Sequence, residues 1–505
     1  MAERSRWWAL TAVSLATLMT YLDNNVTNVA LPTIEHSLHL SVSGLEWIVS
    51  SYLLVLGGLL LAGGRVADVY GRRRMFLAGL VIFTLSSLTA GLAGSAGVLI
   101  AARAVQGLGA ALVMPAALAI VVATFTDPRE RTAAIGISGA IGGLGLAIGP
   151  AVGGLISQHF HWGWIFLINV PLGAITLAIS LPCVSESRGA RAVTETRAAG
   201  DTGRATTAAR LDIPGLVASA VALFALTYAL IEGGDKGWTS PLITGAFAAA
   251  AVFAAAFLVI ESRSAYPMIP LRIFRSAVFS GGLGTMMIWS FGILGIYFFT
   301  SLYLQGNLGF SPTKAGVAFV PMALCLALAA ALSPRVVPVL GGHRTVALGM
   351  AVMTVGLVLF ARLGVGATFG DLLPGFILFG LGAGVMTVPL TNEVLSGAPA
   401  AQAGIASALL NASREVAGLL GVTVIGAVLR SSESASLRSG TGPGQAFVDG
   451  YHSGLWLTIG LMAAGAVLSY ATLRPRKRSA TDRLTAGLGP AEVGEPRKAG
   501  IPVEG

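Results

Sequence analysis

Fourteen apolar stretches, each long enough to cross a bilayer as a helix, constrain this chain more than any other feature. A spanning helix needs about 20 mostly apolar residues. Such runs occupy 7–30, 46–67, 75–94, 97–122, 133–156, 164–182, 213–231, 242–260, 279–303, 315–332, 345–363, 372–390, 404–428 and 453–473. Only 11% of the residues are charged, against roughly 25% in soluble domains. A water-soluble fold would lack the polar surface to cover this much apolar sequence. The expected fold class is an all-α membrane protein with fourteen transmembrane helices. The first run is longer than a signal-peptide core and lacks a convincing small-residue cleavage site, so it is read as a retained helix.

The basic residues test this count. An even number of spans returns the chain to the side where it starts. Counting Arg65 and Arg362, near the ends of their runs, with the connections that follow, 25 of the 32 Lys and Arg fall in the segments on that side. Five lie opposite, at Lys236, Lys314, Arg362, Arg430 and Arg438, and two, Arg103 and Arg414, fall inside runs. Basic loops mark the cytoplasmic face, so both termini are expected there. The same distribution explains the net charge of +9 without invoking nucleic acid. The two cysteines, Cys183 and Cys325, supply neither a disulfide framework nor a metal site. No cofactor or metal is expected, and no nucleotide-binding loop or nucleophile–base pair suggests an enzyme.

A weak internal repeat divides the runs. Gly71, Arg74 and Gly79 between runs two and three align with Gly341, Arg344 and Gly349 between runs ten and eleven. The register holds if two runs are set aside. The expected organisation is a six-helix bundle at 7–182, a cytoplasmic linker at 183–212 and two central helices at 213–260. A second six-helix bundle at 279–473 and a disordered cytoplasmic tail at 474–505 complete it. Repeated halves with a path between them are a common transporter design.

Several residues within this frame carry chemistry. The second connection holds Gly64, Asp68, Gly71, Arg72, Arg73 and Arg74, a tight hairpin whose acid can pair with an arginine or a helix N-terminus. Helix five carries Gly145, Gly149, Pro150, Gly153 and Gly154, a density of glycine that lets another helix approach closely. Asp23 in the first run and Glu415 in the thirteenth are carboxylates inside spans, which are costly and functional by default. Each is a candidate to bind protons; Glu415 could instead contact a cationic substrate, and Asp23 could be a hydrogen-bonded structural acid. Arg103 must find a partner, through an ion pair, backbone carbonyls or a coupling role. Arg414 and Glu415, adjacent and so about 100° apart on a helix, are not expected to pair only with each other. Asn28, Gln106, Asn411 and Arg414 are candidates to line a substrate cavity. Trp162 and Trp164 fit an interfacial aromatic belt.

The spacing Gly-x3-Asp-x2-Gly-x-Arg-Arg from Gly64 to Arg74 resembles the signature loop of the major facilitator superfamily, departing from it at Val69. The Gly145–Gly154 pattern resembles the same family's antiporter motif in full. Asp23 to Pro32, Arg103 to Gly109 and Asn411 to Arg414 are similar to motifs of its fourteen-helix drug:proton antiporter branch. The resemblance implies two six-helix bundles plus two central helices, alternating access, and exchange of protons for a hydrophobic or cationic drug or antibiotic. It places Asp23, Glu415 and Arg103 in proton coupling and the Gly64–Arg74 loop in gating. It implies a bacterial cytoplasmic membrane location. The lipid bilayer is the partner the composition demands, and a monomer is the expected state. A proton-coupled uptake symporter and a lipid or precursor flippase are the alternatives; the helix-five pattern argues against the first.

Overall fold

The computed structural model describes residues 2–188, 212–264, 267–399 and 402–474. The expected tail at 474–505 and most of the linker at 183–212 lie outside the described residues. Among those described there is no strand, and fourteen helices account for the fold. The first six are α1 (Ala2–Leu38), α2 (Val42–Tyr70), α3 (Arg72–Gly91), α4 (Ala96–Thr124), α5 (Pro128–His159) and α6 (Trp164–Cys183). Then come α7 (Ile213–Lys236) and α8 (Pro241–Arg263). The last six are α9 (Ala277–Asn307), α10 (Pro312–Leu340), α11 (Gly342–Phe360), α12 (Phe369–Ser396), α13 (Ala403–Arg438) and α14 (Pro443–Thr472).

Thirteen of these are long and apolar enough to cross a membrane. The exception is α1, whose middle is punctuated by Thr20, Asp23, Asn24, Asn25, Thr27 and Asn28. All but Asn24 are nearly or fully buried against other helices, so the polarity of α1 faces protein. The opposite pattern holds on α8, where Leu242, Val252, Leu258 and Val259 are exposed. An apolar helix with a bare outer face requires lipid.

Most helices outrun the apolar stretches that announce them. Their ends are set by polar caps outside those stretches. Ser95 accepts from the Val98 amide, Asp127 from Arg129 and Glu130, and Ser311 from Lys314. Thr368 and Asp371 form a reciprocal capping box at the start of α12. Such caps satisfy the orphan amides of a helix start, which lipid cannot do. One correction is at α13, which continues to Arg438 rather than ending near 428. Arg430, counted above as a loop charge, is therefore inside a helix and buried.

Helices α1 to α6 pack on one another, chiefly α1 on α5, α4 on α2 and α3, and α6 on α1 and α3. Helices α9 to α14 form a similar set, with α12 on α10 and α11, and α13 on α9 and α14. The repeat is visible at matched points. Gly71 and Gly341 both have positive φ, 113° and 80°, and each turns the chain into the next helix. Gly79 lets α3 meet α4 at Gly109, and Gly349 lets α11 meet α12 at Gly382. Extended contacts between the two sets run along α2–α13 and α5–α10. Helix α7 packs on α8, α2 and α13. All fourteen helices belong to one compact unit ending at Leu473.

The seams between the sets are tight at one end. The side on which α1 begins is the terminus side, and the other is the far side. Toward the far side, a Cβ on Gly154 would overlap the Pro312 carbonyl, and one on Gly316 the Pro150 carbonyl. Thr313 donates to Gln158 Oε1 (3.1 Å) and to the Gly154 carbonyl (3.2 Å). Gln305 reaches across to the Val29 carbonyl at 2.9 Å. Toward the terminus side, Gly136, Gly139 and Gly143 on α5, Gly58 on α2 and Gly404 on α13 face nothing within 4 Å. The halves are thus held together at the far side.

Candidate functional site

Asp23 is buried in the middle of α1, and its carboxylate is fully engaged. Arg103 of α4 donates Nη1 to Oδ2 at 2.5 Å. Gln106 of α4 and Asn169 of α6 each donate to Oδ1, at 2.8 and 2.7 Å. Both amides also donate to Ser87 Oγ of α3, at 2.6 and 3.1 Å. Arg103 is itself inaccessible; its Nε donates to the Ile48 carbonyl at 3.3 Å, and its guanidinium lies 4.4 Å from the centre of the Tyr52 ring. Of the readings left open for Arg103, the ion pair and the carbonyl contact are both present. Five helices contribute partners to this buried pair, which lowers the cost of its burial, although Arg103 Nη2 and Asn169 Oδ1 stay without one.

A second charged pair lies across the seam. Arg414 donates to Glu415 Oε1 at 3.0 Å and to the Tyr21 hydroxyl of α1 at 2.7 Å. It also lies over the Tyr21 ring, 5.5 Å from its centre. The adjacent residues do pair, but not only with each other, since Arg414 also bonds to Tyr21 of α1. A small cavity lies beside them, lined by Thr20, Tyr21, Asn24, Tyr52, Leu56, Met114 and Glu415. Tyr52 touches both places, facing the cavity on one side and the Arg103 guanidinium on the other. Two tyrosines, Tyr21 on α1 and Tyr52 on α2, thus line the cavity between the two charged pairs.

The remaining candidates fall at different depths. Asn28 is buried, with its side-chain oxygen unpartnered. Gln106 is sealed inside the Asp23 cluster rather than facing the cavity in this conformation. Asn411 is half-buried and donates to the Ser407 carbonyl of its own helix. In the Gly64–Arg74 hairpin, Arg72 grips Asp68 at 2.8 Å and reaches the Ala119 carbonyl of α4. Glu186, beyond α6, accepts from the Arg73 and Arg74 amides at 3.1 and 3.3 Å. It thereby caps α3, and a side chain at Gly71 would collide with it. On α5, Gly145, Gly149 and Gly153 face α1, while Gly154 faces α10. The motif is thus shared between an internal crossing and the far-side seam.

Sequence reasoning missed Asn169, Ser87, Tyr52 and Glu186. A polar residue in an apolar run was the signal for Asn169 and Ser87; which carboxylate they serve was not readable. Trp162 is a correction. It is buried, its indole N–H donating to Ser37 Oγ at 2.9 Å, and only Trp164 is exposed enough for a belt.

The Major Facilitator Superfamily model matches residues 13–422. The chain is 35% identical over 501 residues to a puromycin resistance protein of Streptomyces alboniger, covering 96% of this chain and 95% of that one. It is 35% identical to the multidrug resistance protein Stp of Mycobacterium tuberculosis, covering 86% and 78%. It is 33% identical to a tetracenomycin C resistance and export protein of Streptomyces glaucescens, covering 84% and 76%. Among solved structures, the POT family transporter PepTSo superposes with a TM-score of 0.66 at 16% identity, over 93% of this chain and 97% of that one. A bacterial homologue of the lysosomal transporter Spinster, solved inward-facing, gives 0.63 at 16% identity over the same shares. At such identities these structures speak to the fold alone.

Proposed function

Because the chain belongs to the Major Facilitator Superfamily and is a multi-pass transporter rather than an enzyme, we propose that it exports a hydrophobic or cationic drug or antibiotic in exchange for protons. The observation that carries this reading is the pairing of two buried carboxylates with one small amphipathic cavity between the halves. Asp23 lies behind Tyr52, and Glu415 lines the cavity itself. Drug and proton would compete for the Glu415 carboxylate, with Arg414 as its counter-ion, while Asp23 and Arg103 would sense occupancy through Tyr52. The names of the relatives, resistance and export proteins for puromycin and tetracenomycin C, support a drug as cargo. The bundles at 7–182 and 279–473 would rock about the cavity, with the Gly64–Arg74 hairpin as the terminus-side gate. Asn28, Gln106 and Asn411 would meet the drug only in conformations that expose them.

We place both termini in the cytoplasm of a bacterium, on the charge asymmetry of the loops. The conformation described is then inward-facing, closed at the far side. The protein is taken to act as a monomer. The test is efflux of ethidium from a pump-deficient host, with and without a protonophore. Export that collapses with the protonophore, and resistance to several unrelated compounds, is the expected result. Export that persists without a proton gradient would sink proton coupling.

A further inference from the structure

Arg430 sits where three helices meet at the far side. It forms a buried ion pair with Glu46 of α2, which is wholly inaccessible. Its Nη2 donates to two carbonyls in the last turns of α7, Leu230 at 3.1 Å and Ile231 at 3.0 Å. Helix α7 is also tied to α2 directly: the Trp47 indole N–H donates to Glu232 at 2.9 Å and Ser43 to Asp235 at 2.8 Å. The approach is close because Gly426 leaves room for the Glu46 carboxylate and Gly234 for the guanidinium. Neither charge lines the cavity beside Glu415.

The geometry points to a far-side gate of three members, in which Glu46 and Arg430 are positioning residues for transport and α7 is a working part. This rests on the transport reading above. Opening the far side would separate α2 from α13, and Glu46 from Arg430 with them. The carbonyls of α7 hold the arginine in place, so the pair re-forms when the halves close. That gives the seventh helix a task beyond spanning. Removing one partner of a buried pair leaves the other charge uncompensated and disfavours the closed state. Lysine keeps the charge but not the planar fork that serves a carboxylate and two carbonyls at once.

The test uses the full chain in lipid nanodiscs, on a Cys183→Ser, Cys325→Ser background. Spin labels at His36 and Ser434, exposed near the far ends of α1 and α13, report the opening. Glu46→Gln is expected to raise the long-distance population at least about tenfold. The maximal rate of ethidium efflux falls by a similar factor, with half-saturation within about twofold, because cavity contacts are untouched. Arg430→Lys, which keeps the ion pair, is expected to open the seam partway. An unchanged distance in Glu46→Gln would overturn the gate. Opening in Glu46→Gln with wild-type behaviour in Arg430→Lys would remove α7 from it. The distance measurement needs no proton gradient, so failure of proton coupling shows separately, as wild-type efflux indifferent to a protonophore.

Discussion

Asp23 shows how a single residue gains its character from five helices. Its carboxylate accepts from Arg103, Gln106 and Asn169, the last of them 146 positions away in sequence. Asp23→Asn keeps the shape and removes the charge, which leaves Arg103 without its counter-ion. Proton-driven ethidium efflux is expected to fall by at least about tenfold, while exchange of labelled for unlabelled ethidium across the membrane persists. Full proton-driven efflux in a well-expressed variant would remove Asp23 from coupling. Trp162 offers a purely structural counterpart. Trp162→Ala empties a buried site and should destabilise the protein by about 3–5 kcal/mol, read as an earlier thermal transition in detergent; an unchanged transition would contradict its placement. Asp23, Arg103 and Glu415 were legible because charges inside apolar runs stand out. Their partners were not, since Ser87 and Tyr52 look like ordinary helix residues until three-dimensional packing brings them together.

At the scale of elements, the apolar runs located every helix, and the cap residues extended them. Ser95, Asp127 and Ser311 are readable as N-caps once a helix is known to follow. The extension of α13 was not readable, because Arg430 resembles a loop charge by composition and is accommodated inside a buried helix through α2 and α7. Helix α5 divides its glycines between two neighbours, which spacing alone does not reveal. Gly154→Leu would press on the Pro312 backbone and oppose far-side closure. Overpacking of this kind costs about 1–3 kcal/mol. Ethidium efflux is expected to drop about tenfold or more, whereas Gly245→Leu, on a bare stretch of α8, changes it less than about twofold. Equal effects of the two substitutions would contradict a role for the α5–α10 contact.

For the whole molecule, the fourteen-helix class followed from length and polarity, and the repeat at Gly71 and Gly341 reappears as matched turns. The contribution of α7 was invisible in the sequence, because an apolar run announces a span and not its neighbours. The closure at the far side fits the inward-facing reading proposed above. The central claim is exchange of cargo for protons, and purified protein in sealed liposomes tests it most directly. A pH gradient, acidic inside, is imposed, with ethidium outside and a pH-sensitive dye trapped within. The account predicts that ethidium accumulates against its own gradient while the lumen loses protons, and that a Glu415→Gln variant does neither. Accumulation unaccompanied by proton loss, or proton loss that ethidium does not accelerate, would contradict it.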